Sequence, residues 1–375
     1  MGAHSDFGPS SSHRWIHCTA SNPLCRDMPE QSSSFAEEGT QAHSLCEYLL
    51  KKEMGIEAED PRPNLSYYNA EMEECCQGYR DYVMELLEEA KEKTKDPVLL
   101  VEQRIQYERF VPGGFGTADC ILISDGTLNV VDFKYGAGVE VDAKENSQMR
   151  IYAIGALEIF DDLYDIDRVR MTIYQPRKGN ISVDEISRDE LYEWAENVLR
   201  PAAEEGASGH GRFHAGEWCR FCKARHICRE RAKENLLLAS YDFTDPPLLG
   251  DEEIVEILEK VDKLVSWAND VKEYALQEAV AGKEWSGWKL VEGRSIRKYM
   301  NEKEVAEAVE GAGFDPYQKK LLSITDMEKM LGKKKFQEIL GELCIKPQGK
   351  PVLVRADDKR PPINSAKEDL KELPV

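Results

Sequence analysis

Apolar and polar positions alternate most clearly from Gly116 to Lys134, GTADCILISDGTLNVVDFK. Two runs of Ile, Leu and Val flank Asp125-Gly126, the dipeptide of a two-residue type I′ turn, so the stretch reads as a β-hairpin. With Asp125 and Gly126 as the loop, Ser124 faces Thr127, and counting outward puts Asp119 opposite Asp132. Lys134 lies two residues past Asp132 and shares its face. Upstream, the pattern VLLVEQRIQYERF between Pro97 and Phe110 predicts a strand that carries Glu102 and ends at Pro112-Gly113-Gly114. Three antiparallel strands therefore follow one another.

Helical spacing brackets these strands. Leu45, Leu49 and Leu50 form an apolar stripe behind Thr40, a candidate N-cap, and His43 and Glu47 lie at i, i+4 on the neighbouring face. Residues 69–94 predict a long amphipathic helix, and residues 145–160 another, with Gln148 and Tyr152 on one face. A strand at 168–175 and a helix at 188–205 complete an α/β core with a mixed sheet. Past Asp245-Pro246-Pro247 come a long helix (251–282), a short β unit in GWKLVEGRSIRKY and short helices to about 340. The Pro- and Lys-rich tail from 345 reads as extended. Residues 1–35, rich in Ser, Pro and Gly, read as a loosely structured arm that Trp15 and Cys18 pin down. The expected division is an arm (1–35), a core (36–240), a helical C-terminal region (241–345) and a tail (346–375).

Composition narrows the class. The 375 residues leave room for two domains, and 41% hydrophobic with 32% charged residues is a globular balance. No run approaches the roughly 20 apolar residues of a membrane span, and the N-terminus has no charged-then-apolar signal region, so the expected location is cytoplasmic. Thiols stay reduced there, and the 10 cysteines read as metal ligands or small core residues. A net charge of −21 argues against a protein that coats nucleic acid nonspecifically. From Trp285 onward, 18 Lys/Arg and 15 Asp/Glu give net +3, which leaves −24 on the first 284 residues.

Two clusters carry candidate chemistry. Carboxylates facing each other across a ladder repel, and a divalent cation between Asp119 and Asp132 would offset that. The plainer alternative is a solvated face with a chance Asp-Asp-Lys cluster. A histidine such as His43, taken alone, is more often a capping or core residue than a ligand, and Glu102 taken alone reads first as an exposed strand residue. The second cluster is Cys219, Cys222 and Cys228, spaced C-x2-C-x5-C. Three thiolates leave one position open for a zinc ion or an iron–sulfur cluster. Cys18, Cys25, His214 and His226 are the candidates for it, whereas adjacent Cys75 and Cys76 are poorly placed to ligate together.

In order, Cys18, His43, Glu102, Asp119, Asp132-Phe133-Lys134, Gln148-x3-Tyr152 and Cys219, Cys222, Cys228 resemble the RecB-type branch of the PD-(D/E)XK nucleases. That branch includes Cas4 and the AddB nuclease domain, and the set is also similar to uncharacterised phage and prophage proteins of the superfamily. The resemblance covers roughly residues 10–235. It implies a restriction-endonuclease-like mixed sheet flanked by helices, with a cysteine-clamped cluster and a mostly helical C-terminal extension. His43, Asp119, Asp132 and the Phe133 carbonyl would hold Mg²⁺ or Mn²⁺, with Glu102 as a further candidate. Lys134 would be catalytic, and Gln148 and Tyr152 would contact DNA or support the site. Cys18, Cys219, Cys222 and Cys228 would hold a [4Fe-4S] cluster, with Zn²⁺ as the alternative. The implied activity is a metal-dependent deoxyribonuclease in phage recombination or DNA processing, with DNA and a phage helicase or recombination protein as partners. The pattern departs at Thr117-Ala118-Asp119, where the family name promises Pro-Asp, and at Asp132, which replaces Glu. The rival expectation is a non-catalytic nucleic-acid-binding or assembly protein that keeps the fold and a structural metal site.

Overall fold

The computed structural model describes residues 5–29, 34–124, 126–161, 163–238, 249–292, 300–312, 315–317 and 321–344. Its N-terminal arm is folded, not loose: a 3-10 turn at Pro9–Ser11 leads into α1 (Ser12–His17) and α2 (Ser21–Cys25). Two aromatics do the anchoring. Phe7 and Trp15 are buried edge to face at 5.3 Å, and the Trp15 indole N–H donates to the Gly8 carbonyl at 3.1 Å. Pro9 lies so near the sheet that a Cβ on Gly116 would stand 2.8 Å from its ring, so only glycine fits there.

Next come α3 (Ser34–Glu53) and α4 (Ala70–Lys93). The first starts earlier than Thr40, which sits inside the helix with its hydroxyl bonded to the Ala36 carbonyl. Asn69 caps α4 by accepting the Met72 N–H, satisfying one of its orphan donors. The central hairpin follows: β1 (Val98–Gln106), β2 (Phe115–Ser124) and β3 (Thr127–Phe133). Ser124 pairs with Thr127 as the two-residue loop requires, and Gly126 takes φ of 71°, a cost-free conformation for glycine. Asp125 lies outside the described residues.

Helix α5 (Ser147–Phe160) crosses over to β4 (Arg168–Gln175), which runs parallel to β3. β5 (Asn180–Ser187), which the sequence reading lacks, pairs antiparallel with β4 and closes a five-stranded sheet in the order β1-β2-β3-β4-β5. The helix expected at 188–205 is interrupted: α6 (Arg188–Trp194), a π-helical turn at Ala195–Leu199, then α7 (Arg200–Ala207). The result is an α/β fold with helices on both faces. Ala42, Leu45, Leu49, Met72, Cys76, Tyr79 and Val83 of α3 and α4 cover one face. α5, buried along most of its length, covers the other together with Trp15 and with Leu191, Leu199 and Ala203.

At residues 102 and 119 the sheet changes sides. Leu99 and Val101 pack toward α3 and α4, yet Ile105, which shares their parity, packs toward α5. On β2, Cys120 and Leu122 face α3 and α4, while Ala118 faces α5. Regular strands keep residues i and i+2 on one face. Here both strands break that rule at the same level, between the pairs Val101–Cys120 and Gln103–Ala118, without changing register. The backbone cause is visible at Glu102, whose φ is 52°, a left-handed conformation that non-glycine residues avoid.

After α7 a 3-10 turn (Glu217–Phe221) and α8 (Arg229–Leu236) precede α9 (Asp251–Val280). Asp270 of α9 pairs with Arg225 at 3.2 Å and Arg231 at 2.5 Å, and Tyr274 stacks on His226 at 4.1 Å. α9 accordingly belongs to a first compact unit that runs to Val291. The second unit, 292–375, contains α10 (Glu302–Gly311), α11 (Ile324–Leu331) and α12 (Lys333–Leu340). Of the β unit expected near 287–299, residues 287–292 form no strand, and the rest lies outside the described residues, as do Asp245-Pro246-Pro247 and the tail from 345. Among the described residues, no helix is long and apolar enough to cross a membrane.

Candidate metal centre and cysteine cavity

The change of sides at 102 and 119 is what assembles the polar site. It swings the Glu102 and Asp119 side chains toward α3, where they meet His43. Ligand atoms of these three residues lie within 4.8 Å of one another, and His43 Nδ1 is 3.2 Å from Asp119 Oδ1. The second Asp119 oxygen accepts the Phe133 N–H at 2.8 Å. This corrects the expected cross-strand pairing. The β2–β3 ladder keeps its predicted register only as far as Cys120–Val131. Beyond it, Asp119 turns to α3, while Asp132 keeps the parity of Val130 and faces α5.

On the α5 side Asp132 is almost fully buried. Gln148 Nε2 donates to Asp132 Oδ1 at 3.2 Å and to the Tyr152 hydroxyl at 3.1 Å. Lys134 Nζ donates to Gln148 Oε1 at 3.1 Å and lies 2.9 Å from Asp132 Oδ2. That last approach is off the direction of a hydrogen bond, so among the described residues the buried Oδ2 has no hydrogen-bond partner. Phe133 packs against Tyr79, sets its ring edge to face with His43 at 5.5 Å and donates its N–H to Asp119.

Electrostatics separates the two aspartates. Burial pushes the Asp132 carboxyl up, and the Lys134 ammonium only partly offsets it. Burial also acts on Asp119, but the His43 ring and the Phe133 N–H outweigh it and hold this carboxyl below its ordinary value. Burial works against the His43 imidazolium, yet Asp119 raises it to about 9. Glu102 is raised to about 7 by burial and then by Asp119. Three acids thus share two bases, a deficit of positive charge that a small cation would remove.

Glu102 is strained in two ways, by its backbone and by its desolvated carboxyl. Glu102→Gly should therefore stabilise the metal-free protein by about 1 kcal/mol. The pH dependence has a definite sign. A carboxyl raised from its ordinary value to about 7 favours folding most at low pH, and that support is lost as pH rises through 7. The gain from Glu102→Gly should thus be larger at pH 8 than at pH 5, read from urea midpoints in chelator. An unchanged or lower midpoint at pH 8 would show that the strain is absent.

The second cluster lies where the arm meets the C-terminal end of the core. Cys18, Cys219, Cys222 and Cys228 all line one cavity of about 20 Å³, together with Arg14, Arg225 and Arg231. Cys25 does not line it, but its sulfur lies 3.7 Å from that of Cys222. Burial raises the Cys18 thiol, and Cys219 and Cys228 raise it further. Cys25 is lowered to about 6, chiefly by its hydrogen bond with Cys222. His214 also borders the cavity, whereas His226 is stacked on Tyr274. Among the described residues no three cysteine sulfurs lie within 4.8 Å of one another. A single zinc with bonds of about 2.3 Å needs them closer than that. Cys76 is buried with its thiol on the Ala42 carbonyl, and Cys75 is half-buried.

The fold and these sites define an α/β protein whose five-stranded sheet carries a His–Glu–Asp triad at its break and a cysteine-lined cavity beside its N-terminal arm. The chain belongs to the family described as "Protein of unknown function (DUF2800)", matched over residues 4–361. Among solved structures, SSO0001 is similar over 51% of this chain and 97% of its own, with 18% identity and a TM-score of 0.24. That score is too low to bear on the fold. Of the residues named from sequence, the structure groups His43, Glu102 and Asp119 on the α3 side, and Asp132, Lys134, Gln148 and Tyr152 in an adjoining group on the α5 side. Sequence reading missed Arg14, Arg225 and Arg231 beside the thiols, which have no spacing signal of their own.

Proposed function

We propose that the protein is a metal-dependent deoxyribonuclease with a restriction-endonuclease-like core. The observation that carries this reading is the Lys134 ammonium, held between Asp132 and Gln148 next to the His43–Glu102–Asp119 triad. A purely structural ion pair has no use for two further half-buried acids beside it. The donor set suits a hard cation, since it offers carboxylate oxygens and one imidazole, and Asp132 Oδ2 is left without a hydrogen bond. Bound there, Mg²⁺ or Mn²⁺ would lower the pKa of a coordinated water and neutralise charge on a phosphate.

The protein's own groups supply the rest. Lys134 stabilises the developing phosphoryl oxyanions and orients the attacking water. Gln148 fixes both Lys134 and Asp132, and Tyr152 in turn fixes Gln148. Asp119, anchored on the Phe133 N–H, keeps one oxygen aimed at His43. In this reading the cysteine cavity takes a [4Fe-4S] cluster on Cys18, Cys219, Cys222 and Cys228, with Zn²⁺ as the alternative; Arg14 borders it, and Arg225 and Arg231 beside it are paired with Asp270. The test is cleavage of end-labelled single- and double-stranded DNA with Mn²⁺ against EDTA. Products that require Mn²⁺ are expected. Tight DNA binding without products would favour the non-catalytic rival.

A further inference from the structure

The switch of faces at 102 and 119 does more than gather acids. Beyond it, the α3 side of β1 and β2 continues as a short strip that none of the described helices covers. Alternation from Ile105 and Ala118, both facing α5, puts Arg104, Gln106, Phe115 and Thr117 on this strip. Arg104 pairs with Thr117 and Gln106 with Phe115, in the same register that sets Glu102 level with Asp119. Arg104, Gln106 and Thr117 are exposed, and the Arg104 guanidinium lies over the Phe115 ring at 4.4 Å. Among the described residues it has no acidic partner, which is unusual in a chain of net charge −21. β1 is also an edge strand, so the outer side of the strip is open.

We propose that Arg104 on Phe115 is a stacking platform for one unpaired base of a single-stranded DNA whose neighbouring phosphate lies at the His43–Glu102–Asp119 triad. The proposal rests on the nuclease reading of that triad. A guanidinium laid flat on an aromatic ring offers its other face to a base and its charge to the phosphate backbone. Arg104 is two residues along the strand from Glu102, about 6.6 Å, which is the reach of one nucleotide. A paired base has no free face to offer, so the platform selects single strands over duplex.

The test uses the full chain with Ca²⁺ in place of Mn²⁺ and fluorescence anisotropy of a labelled oligothymidylate. Arg104→Ala and Phe115→Leu should each weaken binding about tenfold, the scale of one base–aromatic stack. Arg104→Lys should restore only part of it, because an ammonium is not planar. Wild type should lose about tenfold on an oligonucleotide made abasic at the stacked position, and Arg104→Ala should lose nothing further. Arg109→Ala, an arginine on Phe110 elsewhere, should bind as wild type does. The platform is overturned if Arg104→Ala binds normally, if Arg104→Lys restores binding in full, if the abasic strand binds equally well, or if wild type binds no single strand. Cleavage by wild type with normal binding by Arg104→Ala sinks the platform alone. Arg104-dependent binding without any cleavage sinks the nuclease reading alone.

Discussion

On the proposed nuclease reading, Lys134→Ala and Asp132→Asn should each lower Mn²⁺-dependent DNA cleavage by about 10³-fold or more, and the double variant should be hardly worse than either. Residues that act as one unit fail together, and here Gln148 ties the ammonium and the carboxylate to a single amide. The two variants differ in stability, which separates chemistry from folding. Lys134→Ala leaves an almost fully buried carboxylate without its counter-charge and should cost about 3 kcal/mol in chelator. Asp132→Asn removes the charge that burial already disfavours, so its urea midpoint should stay near that of wild type. Gel assays of turnover and urea melts are the measurements. Near-normal turnover by Asp132→Asn would remove Asp132 from the site.

Cys18→Ser should bleach the visible absorbance of anaerobically purified protein and free the arm to proteases. Joining Cys18 to Cys219 closes a loop of some 200 residues, a constraint worth about 5 kcal/mol by the chain-entropy model for disulfides. The arm has a second, independent anchor in Trp15, so Trp15→Ala should cost about 3–5 kcal/mol on its own account. Cys25→Ser should keep the colour, since Cys25 touches Cys222 but does not line the cavity. Colourless protein with one equivalent of zinc would replace the cluster but keep the clamp. Bleaching by Cys25→Ser and not by Cys18→Ser would move the fourth ligand to Cys25.

The hairpin register was legible because Asp125-Gly126 fixes it and a two-residue period follows automatically. Period 2 also misled. It placed Asp119 and Asp132 on one face, and nothing in the letters ADCIL announces that β1 and β2 trade sides there. That exchange depends on Glu102 holding a positive φ, a tertiary choice no propensity favours. β5 was missed although Gly179, with φ of 60°, marks its turn, because Ile181 and Val183 of this edge strand point to solvent and it lacks a buried stripe. The arm looked loose by composition, since Ser, Pro and Gly outnumber the two aromatics that hold it. Thr40 resembled a cap but lies inside the helix, and the Ser34-x-x-Glu37 pattern ahead of it, a capping-box spacing, is the stronger start signal. The cysteine spacing was legible, whereas Cys18 was set over Cys25 by the resemblance alone; Cys18 lines the cavity and Cys25 lies beside Cys222.

The arm also sets a clock on biosynthesis. Cys18 is made early, but its cavity partners end at Cys228, 210 residues later. At about 5–20 residues per second, a ribosome leaves that thiol waiting for roughly 10–40 s. Phe7 and Trp15 wait almost as long for Leu199 and Ala203, members of the same core cluster. During that interval a sticky aromatic segment and a reduced thiol hang from a half-made sheet whose β1 edge is open. Nascent-chain chaperones therefore bear on the yield of this protein before any property of its finished fold does.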